Sequence, residues 1–370
     1  MNTLTINRIA LLLIAILLLA ACGQKPASTT ASNISTVESK TFNWKMTTTW
    51  PPNFPIFQEG VEQFAANVKK MSAGKLNIKV YAGGELIPPL GTFDAVSQGT
   101  VEMGHGAAYY WVGKIPAAAF FTAVPFGMNA QGMNAWLYAG EGLTLWRELY
   151  AKHNLVPFPM GNTGVQMGGW FNKKINSVAD LKGLKMRIPG LGGAVFAKAG
   201  GTPVLLAGGE IYTALERGTI DATEWVGPFH DERLGLYRAA KYYYYPGWHE
   251  PGPVLELIIN KSAWASLPPN LQAIIEAAAS ASNVWMLAQF EAKNLSALRT
   301  LREKHKVKIF SFPDEVIKAL KRYTKEVLEE KAANDPEFDK VYRSYQAFSK
   351  DNDDWNELSE AAYQKARSLR

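Results

Sequence analysis

Residues 93–103, F-D-A-V-S-Q-G-T-V-E-M, return 119 residues later as Y-T-A-L-E-R-G-T-I-D-A at 212–222. Both follow the pattern aromatic-x-Ala-aliphatic-x-x-Gly-Thr-aliphatic-acid. Each reads as a short helix stopped by glycine and turned into a short strand, because glycine takes the left-handed backbone that a helix end needs. A unit used twice at this separation constrains the fold more than any composition figure: it implies two lobes of similar α/β build. The residues after each turn, G-H-G-A-A-Y-Y-W at 104–111 and T-E-W-V-G-P at 223–228, then fall at strand ends. Open α/β sheets bind ligands beyond the carboxyl ends of their strands, so these two segments are expected to face each other across a cleft. The competing reading is a helix–strand turn used twice for packing alone.

The order of the other elements agrees with two lobes. Residues 44–50 alternate and stop at Pro51-Pro52, as a strand running into a loop does. Phe57, Val61, Phe64, Val68 and Met71 share one face of a helix, Gly74 stops it, and Leu76–Tyr81 reads as a second strand. Residues 156–164 and 251–260 read as strands crossing between the lobes, and 165–171 as a strand of the second lobe. After Pro268-Pro269, residues 270–306 read as one or two long helices capped by Asn270, with Ile274, Ala278, Val284, Leu287 and Phe290 as the apolar face. A strand at 307–312 and further helices complete the chain. The expected division is a leader at 1–22, a tether at 23–41, the first lobe at 42–161, and most of the second lobe at 162–255. Residues 256–370 supply a crossing strand, the long helix and C-terminal helices that return to both lobes.

Arg8 followed by an unbroken apolar run at 9–21 is a secretory leader, too short to span a membrane comfortably. It ends in L-A-A-C, a lipoprotein cleavage pattern with Cys22 as the lipidated residue. Cys22 is the sole cysteine, which excludes an intrachain disulfide framework and a cysteine-based zinc site. Gly23 rather than Asp follows it and resembles an outer-membrane sorting pattern, so a lipid-anchored periplasmic protein is expected, at the outer membrane rather than the inner. Residues 24–40, rich in Ser, Thr and Ala, read as a flexible tether. The formal charge of +6 comes from interspersed lysines and acids with no basic run, which excludes nucleic acid as a partner.

The chain has no G-x-S-x-G elbow, no H-E-x-x-H and no P-loop, and its five histidines lack metal-ligand spacing. His105, between glycines in the presumed cleft loop, is the one to watch; His230 and His249 read as surface or packing residues. What remains is a binding constellation. In D-L-K-G-L-K-M-R-I-P at 180–189, a helix stop at Gly183 precedes a strand with Leu184, Met186 and Ile188 on one face and Lys185 and Arg187 on the other. Arg187, at the strand's end, is placed to hold a carboxylate by two parallel hydrogen bonds; a surface ion pair is the alternative. Gln166 offers an amide oxygen, or an ordinary strand hydrogen bond. Glu224, an acid beside Trp225, is costly to bury unless paired. A cation would pair it, because carboxylate, amide and carbonyl oxygens suit hard cations; so would a salt bridge, with Arg187 itself the candidate. Glu250 offers another oxygen.

On these motifs the chain from 42 to about 350 resembles the solute-binding proteins of TRAP transporters, the DctP-type family. The run G-N-T-G-V-Q-M-G-G-W-F at 161–171, with Glu224-Trp225 and A-Y-Y-W at 108–111, resembles the subgroup that binds 2-oxo acids or lactate. The resemblance implies a two-lobed α/β periplasmic binding fold of the type II kind, with crossing strands as hinge and a long helix along both lobes. It implies that Arg187 grips the ligand carboxylate. Gln166, Glu224 and the Trp225 carbonyl, with Glu250, would hold a bridging sodium or calcium ion. Tyr110, or else Tyr109, would face the ligand from the first lobe; Trp225 and Met167 would line the site. It further implies delivery of the acid to membrane permease subunits, and a homodimer formed by exchange of a terminal helix. A pyruvate-like 2-oxo monocarboxylate is the expected ligand, with lactate or a C4-dicarboxylate as runner-up. Arg187→Ala is expected to abolish binding without unfolding. An enzyme is not expected. The rival classes are a metal-assisted lyase or hydrolase using Glu224 as general base, and a structural or adhesion lipoprotein.

Overall fold

The computed structural model describes residues 40–369; the leader and Cys22 lie outside the described residues. The strands are β1 (Phe42–Thr48), β2 (Leu76–Tyr81), β3 (Met103–Gly106), β4 (Leu155–Asn162), β5 (Gly169–Phe171), β6 (Lys185–Arg187), β7 (Thr202–Val204), β8 (Ala222–Thr223), β9 (Tyr242–Tyr245), β10 (Val254–Asn260) and β11 (Ile309–Ser311). The helices that matter to the site are α1 (Phe57–Met71), α2 (Thr92–Ser97), α3 (Gly190–Lys198), α4 (Ile211–Glu216) and α5 (Pro228–Arg233). They are followed by α6 (Pro269–Glu303), α7 (Asp314–Asn334), α8 (Pro336–Leu358) and α9 (Glu360–Ser368).

Two sheets form, ordered β2-β1-β3-β10-β4 and β11-β9-β5-β8-β6-β7. In the first, β1 buries Phe42, Trp44 and Met46 and exposes Asn43 and Lys45. It pairs parallel with β2 from Phe42↔Leu76 to Thr47↔Tyr81. The connection is α1, which buries Phe57, Val61, Phe64 and Val68; Met71, at its last position, is 47% exposed instead. Strand β10 is buried throughout and runs antiparallel to both β3 and β4. A near-continuous apolar run is what a strand covered on both faces requires. Because β4 and β10 lie side by side, the chain leaves the first sheet at Asn162 and re-enters at Val254 next to its point of exit.

The internal repeat is real in three dimensions. In the first copy Thr100 N–H bonds the Ala95 carbonyl and Gly99 N–H the Val96 carbonyl; in the second Thr219 bonds Ala214 and Gly218 bonds Leu215. The glycines have φ of +76° and +70°, a region that costs a side chain roughly 1–2 kcal/mol. Each turn delivers its strand into parallel pairing, β3 against β1 and β8 against β6.

Three local expectations need correction. Only Gly169–Phe171 of the run 165–171 is a strand. Ahead of it, Gln166 N–H bonds the Glu250 carbonyl, Gly247 N–H bonds the Gln166 carbonyl, and Met167 N–H bonds the Val226 carbonyl. The backbone there serves the site rather than a sheet ladder. The long helix is a single one of 35 residues, about 52 Å long at 1.5 Å per residue. It begins with Pro269 at its first position rather than with Asn270 as cap, and Val284 points to solvent at 66% exposure. The buried stripe runs through Leu271, Ile275, Ala278, Met286 and Phe290. This helix packs on α1 and β4 of one layer and α5 of the other. Helix α7 packs on α3 and α8, and no residue of α9 is buried.

Candidate functional site

Arg187 is the last residue of β6 and Glu224 the first after β8, and the two strands run parallel with Arg187 level with Thr223. Both side chains therefore leave the carboxyl edge of the second sheet. Their exposures are 1% and 0%, and the Arg187 guanidinium pairs with Glu224 Oε1. Arg187 Nε donates to the Leu206 carbonyl at 3.3 Å, and its other terminal nitrogen donates to the Tyr110 hydroxyl at 3.3 Å. The Trp225 ring centre is 5.2 Å from the guanidinium carbon, a cation–π distance. Burial opposes the charge on Arg187, but Glu224 above all, with Tyr110, Tyr109 and Glu250, raises its pKa above the ordinary value. The salt-bridge reading of Glu224 is thus realised, with Arg187 as partner. It accounts for one oxygen only.

Glu224 Oε2, both oxygens of Glu250, and the Gln166 amide oxygen are buried without a hydrogen-bond partner. Gln166 Nε2 donates to Thr163 Oγ1 at 3.1 Å, so its oxygen is the free end. Burial first, then the charge of Glu224, pushes the Glu250 carboxyl well above the usual range; Arg187, Tyr109 and Gln166 act against the shift. Coordinating atoms of Glu224, His249 and Glu250 all lie within 4.8 Å of one another. Opposite ligands of one ion at about 2.4 Å each stand about 4.8 Å apart, so a single cation can reach all three. Two carboxylates and an amide oxygen that turn these free oxygens to one place fit such an ion; without one, the single guanidinium of Arg187 is left to offset the desolvation of two buried carboxylates.

The structure brings Arg187, Glu224, Glu250, Gln166, Tyr110 and the Trp225 ring to this place. Tyr109 stands there too, with its ring 4.9 Å from that of Tyr110 and its pKa raised well above normal, by burial and then by Glu250. Met167 is half-buried and packs on the hydrophobic core.

The histidines need correction. His249 is not a surface residue: it is 2% exposed, Nε2 is 3.5 Å from Glu224 Oε2, and both ring nitrogens lack hydrogen-bond partners among the described residues. Its position in G-W-H-E-P beside Glu250 was the available signal, obscured because no second histidine stands at ligand spacing. His105 lies in β3, not a loop, and accepts a hydrogen bond from Trp50 Nε1 at 2.7 Å; burial lowers its pKa to about 4. His230 is buried, with Nδ1 accepting from Trp225 Nε1 at 3.3 Å. Its Nε2–H therefore donates to the Pro55 carbonyl at 2.8 Å, joining the two halves of the molecule. A groove of about 410 Å³ lies between Thr49, Pro51 and Pro88 on one side and Ala207 and Glu210 on the other. A larger cavity of about 680 Å³ lies elsewhere, between α7 and α8.

Residues 46–335 match the model of a family described as DctP, bacterial extracellular solute-binding protein, family 7. The chain is 48% identical over 343 residues to the monocarboxylate 2-oxoacid-binding periplasmic protein of Nostoc sp. PCC 7120, covering 92% of this chain and 94% of that one. A TRAP periplasmic solute-binding protein of Pseudoalteromonas atlantica, solved with bound sodium and pyruvate, superposes with a TM-score of 0.87 at 44% identity, over 90% of this chain and 100% of that one. A TRAP solute-binding protein of Bordetella bronchiseptica superposes with a TM-score of 0.87 at 41% identity, over 89% and 97%. The latter is a mixed-occupancy dimer, with copurified calcium and picolinate in one active site and none in the other.

Proposed function

The chain belongs to the DctP family of bacterial extracellular solute-binding proteins, and from that premise we propose that it captures a small 2-oxo monocarboxylate of the pyruvate type, with a metal cation, for a TRAP membrane permease. The observation that carries the reading is the cluster of unpartnered buried oxygens on Glu224, Glu250 and Gln166 beside the guanidinium of Arg187. Arg187 holds the acid's carboxylate by charge-assisted hydrogen bonds. Tyr110, fixed on Arg187, presents the first lobe's hydroxyl to the same group. The Trp225 ring and Met167 enclose the acid's short carbon chain. Sodium or calcium, held by Gln166, Glu224, Glu250 and the Trp225 carbonyl, bridges protein and ligand and neutralises charge. The aromatic lining favours a monocarboxylate over a C4-dicarboxylate.

The protein binds without turnover. The lobes are 42–161 and 162–255, with the remainder returning to both, and closure is a hinge motion at β4 and β10. The mature protein is anchored in the periplasm through lipidated Cys22, with the outer membrane favoured. Trp355 and Leu358 near the end of α8 and Tyr363 in α9 are exposed large apolar side chains, which a second copy covers in a homodimer. Calorimetry of the chelator-treated protein tests the central reading. Pyruvate-like acids are expected to bind once sodium or calcium is restored, and to be recovered unchanged. Equal affinity with and without cation would refute the bridging role; tighter binding of lactate or a C4-dicarboxylate would reassign the ligand.

A further inference from the structure

Gln166 lends a cation its oxygen only if its amide stands one way round. A side-chain amide has an acceptor at one end and two donors at the other, and half a turn exchanges them. Its neighbours pull the wrong way. The free oxygens of Glu224 and Glu250 are acceptors, and the amide favours the ionised form of Glu250, which is the work of an N–H. Side-chain amide dipoles orient in the field around them. Left to these acids alone, the amide would turn its donors inward and present a cation with N–H hydrogens.

Thr163 opposes that turn. Its Oγ1 lies 3.0 Å from the Gly164 carbonyl oxygen and 3.1 Å from Gln166 Nε2, and both bonds are buried. A carbonyl oxygen only accepts, so the hydroxyl's single hydrogen goes to Gly164. What Oγ1 has left is a lone pair, which the N–H end of the amide can satisfy and the oxygen end cannot. The threonine is itself held. Its N–H bonds the Pro253 carbonyl at 3.1 Å, Asn162 Nδ2 donates to the Gly252 carbonyl at 3.2 Å, and Asn162 Oδ1 accepts from the Gly164 N–H at 2.8 Å. These bonds tie the exit of β4 to the approach to β10, so the Gln166 amide and the Glu250 carboxylate are set on one frame.

We propose that Thr163 is a positioning residue for the cation: its hydroxyl holds the Gln166 amide with the oxygen inward, ready for sodium or calcium. The inference rests on the cation reading above and deepens it. Thr163 acts through Gln166 and is not itself a ligand, because its hydroxyl is already used by Gly164 and the amide.

The experiment is calorimetric titration of calcium, without acid, into the chelator-treated protein as wild type, Thr163→Val, Thr163→Ala and Thr163→Ser, each also combined with Gln166→Glu. The Val and Ala variants are expected to lose about tenfold or more in calcium affinity, and the Ser variant, which keeps the hydroxyl, to bind as wild type does. With Gln166→Glu both ends of the side chain are acceptors, so orientation no longer matters and Thr163→Val should cost far less. Unchanged calcium affinity in the Val and Ala variants overturns the proposal and leaves the cation site standing. So does a Ser variant as weak as Val, or the same loss with Gln166→Glu present, either of which would make Thr163 a packing residue of the turn. A wild type that binds neither calcium nor sodium removes the cation reading itself.

Discussion

The burial of Arg187 changes what its removal does. A strand-end arginine reads as dispensable to the fold, but Arg187 pairs with Glu224 Oε1 in a dry cluster that also holds Glu250. Arg187→Ala should therefore abolish acid binding and also destabilise the cation-free protein by about 3–5 kcal/mol, the usual result of orphaning a buried charge. Calcium should return part of that loss; denaturant unfolding with and without the ion checks both. A second buried acid carries a pH signature. Glu256 accepts hydrogen bonds from Trp111 and from Tyr150 at 2.9 Å, and burial raises its pKa from 4.5 to about 7. The folded state thus holds a proton that the unfolded state has released. Its stabilising contribution is complete below pH 4.5 and disappears as pH rises through about 7. At about 1.4 kcal/mol per unit, Glu256→Gln should flatten up to about 3 kcal/mol of falling stability across that window, as melting curves at several pH values would show. Arg187 and Glu224 were legible because charged groups at strand ends are conspicuous, and Gln166 and Glu250 because amide and carboxylate oxygens suit the cation that a buried acid calls for. His249 and Glu256 were not, since an isolated histidine and a lone acid in an apolar run, V-L-E-L-I-I, have no spacing that marks them.

At the scale of elements, the repeated helix–glycine–strand unit was readable because its turn depends on local backbone chemistry alone. Gly218 has φ +70° and nothing within 4 Å of a would-be Cβ, so space is not what selects glycine there. Gly218→Ala should cost about 1–2 kcal/mol through backbone strain alone, and Gly218→Asn should cost less, because asparagine tolerates that region; equilibrium denaturation distinguishes them. Alternation located β1, and helical spacing located α1, because each buries one face against a sheet. The same logic failed at residues 165–168, where backbone hydrogen bonds to Gly247, Glu250 and Val226 override the apolar pattern. It failed again at Val284, on a helix whose buried stripe is shifted round from the face read as apolar.

Across the whole molecule, one buried cluster holds groups from both sides of the cleft, Tyr110 from one and Arg187 and Glu224 from the other, so acid and cation bound there should stabilise the protein cooperatively. An acid with Kd near 1 µM supplied at about 100-fold excess should add roughly 2.7 kcal/mol, seen as a raised melting temperature that shrinks when chelator is present. An unchanged shift in chelator would contradict that coupling. The homodimer proposed above has its own test at the end of α8: light scattering should give the mass of two chains for the wild type and of one chain for Trp355→Glu, with acid affinity intact, and a wild type that is already monomeric would refute it. The two-lobe plan was legible from the repeat, but the pairing of the two halves by His230 and Pro55 was not. That bond links positions 175 residues apart through a carbonyl that any residue would offer.

Trp50, held by His105, and Trp225, held by His230, come from opposite lobes, yet their ring centres are 6.4 Å apart with planes at 81°. Two indoles that close share their excited states. Opening the cleft would uncouple them, so the protein's own near-ultraviolet circular dichroism reports its conformation without a dye or a label. Every solute that closes the lobes would write the same optical signal, and one that binds without closing them would stay silent.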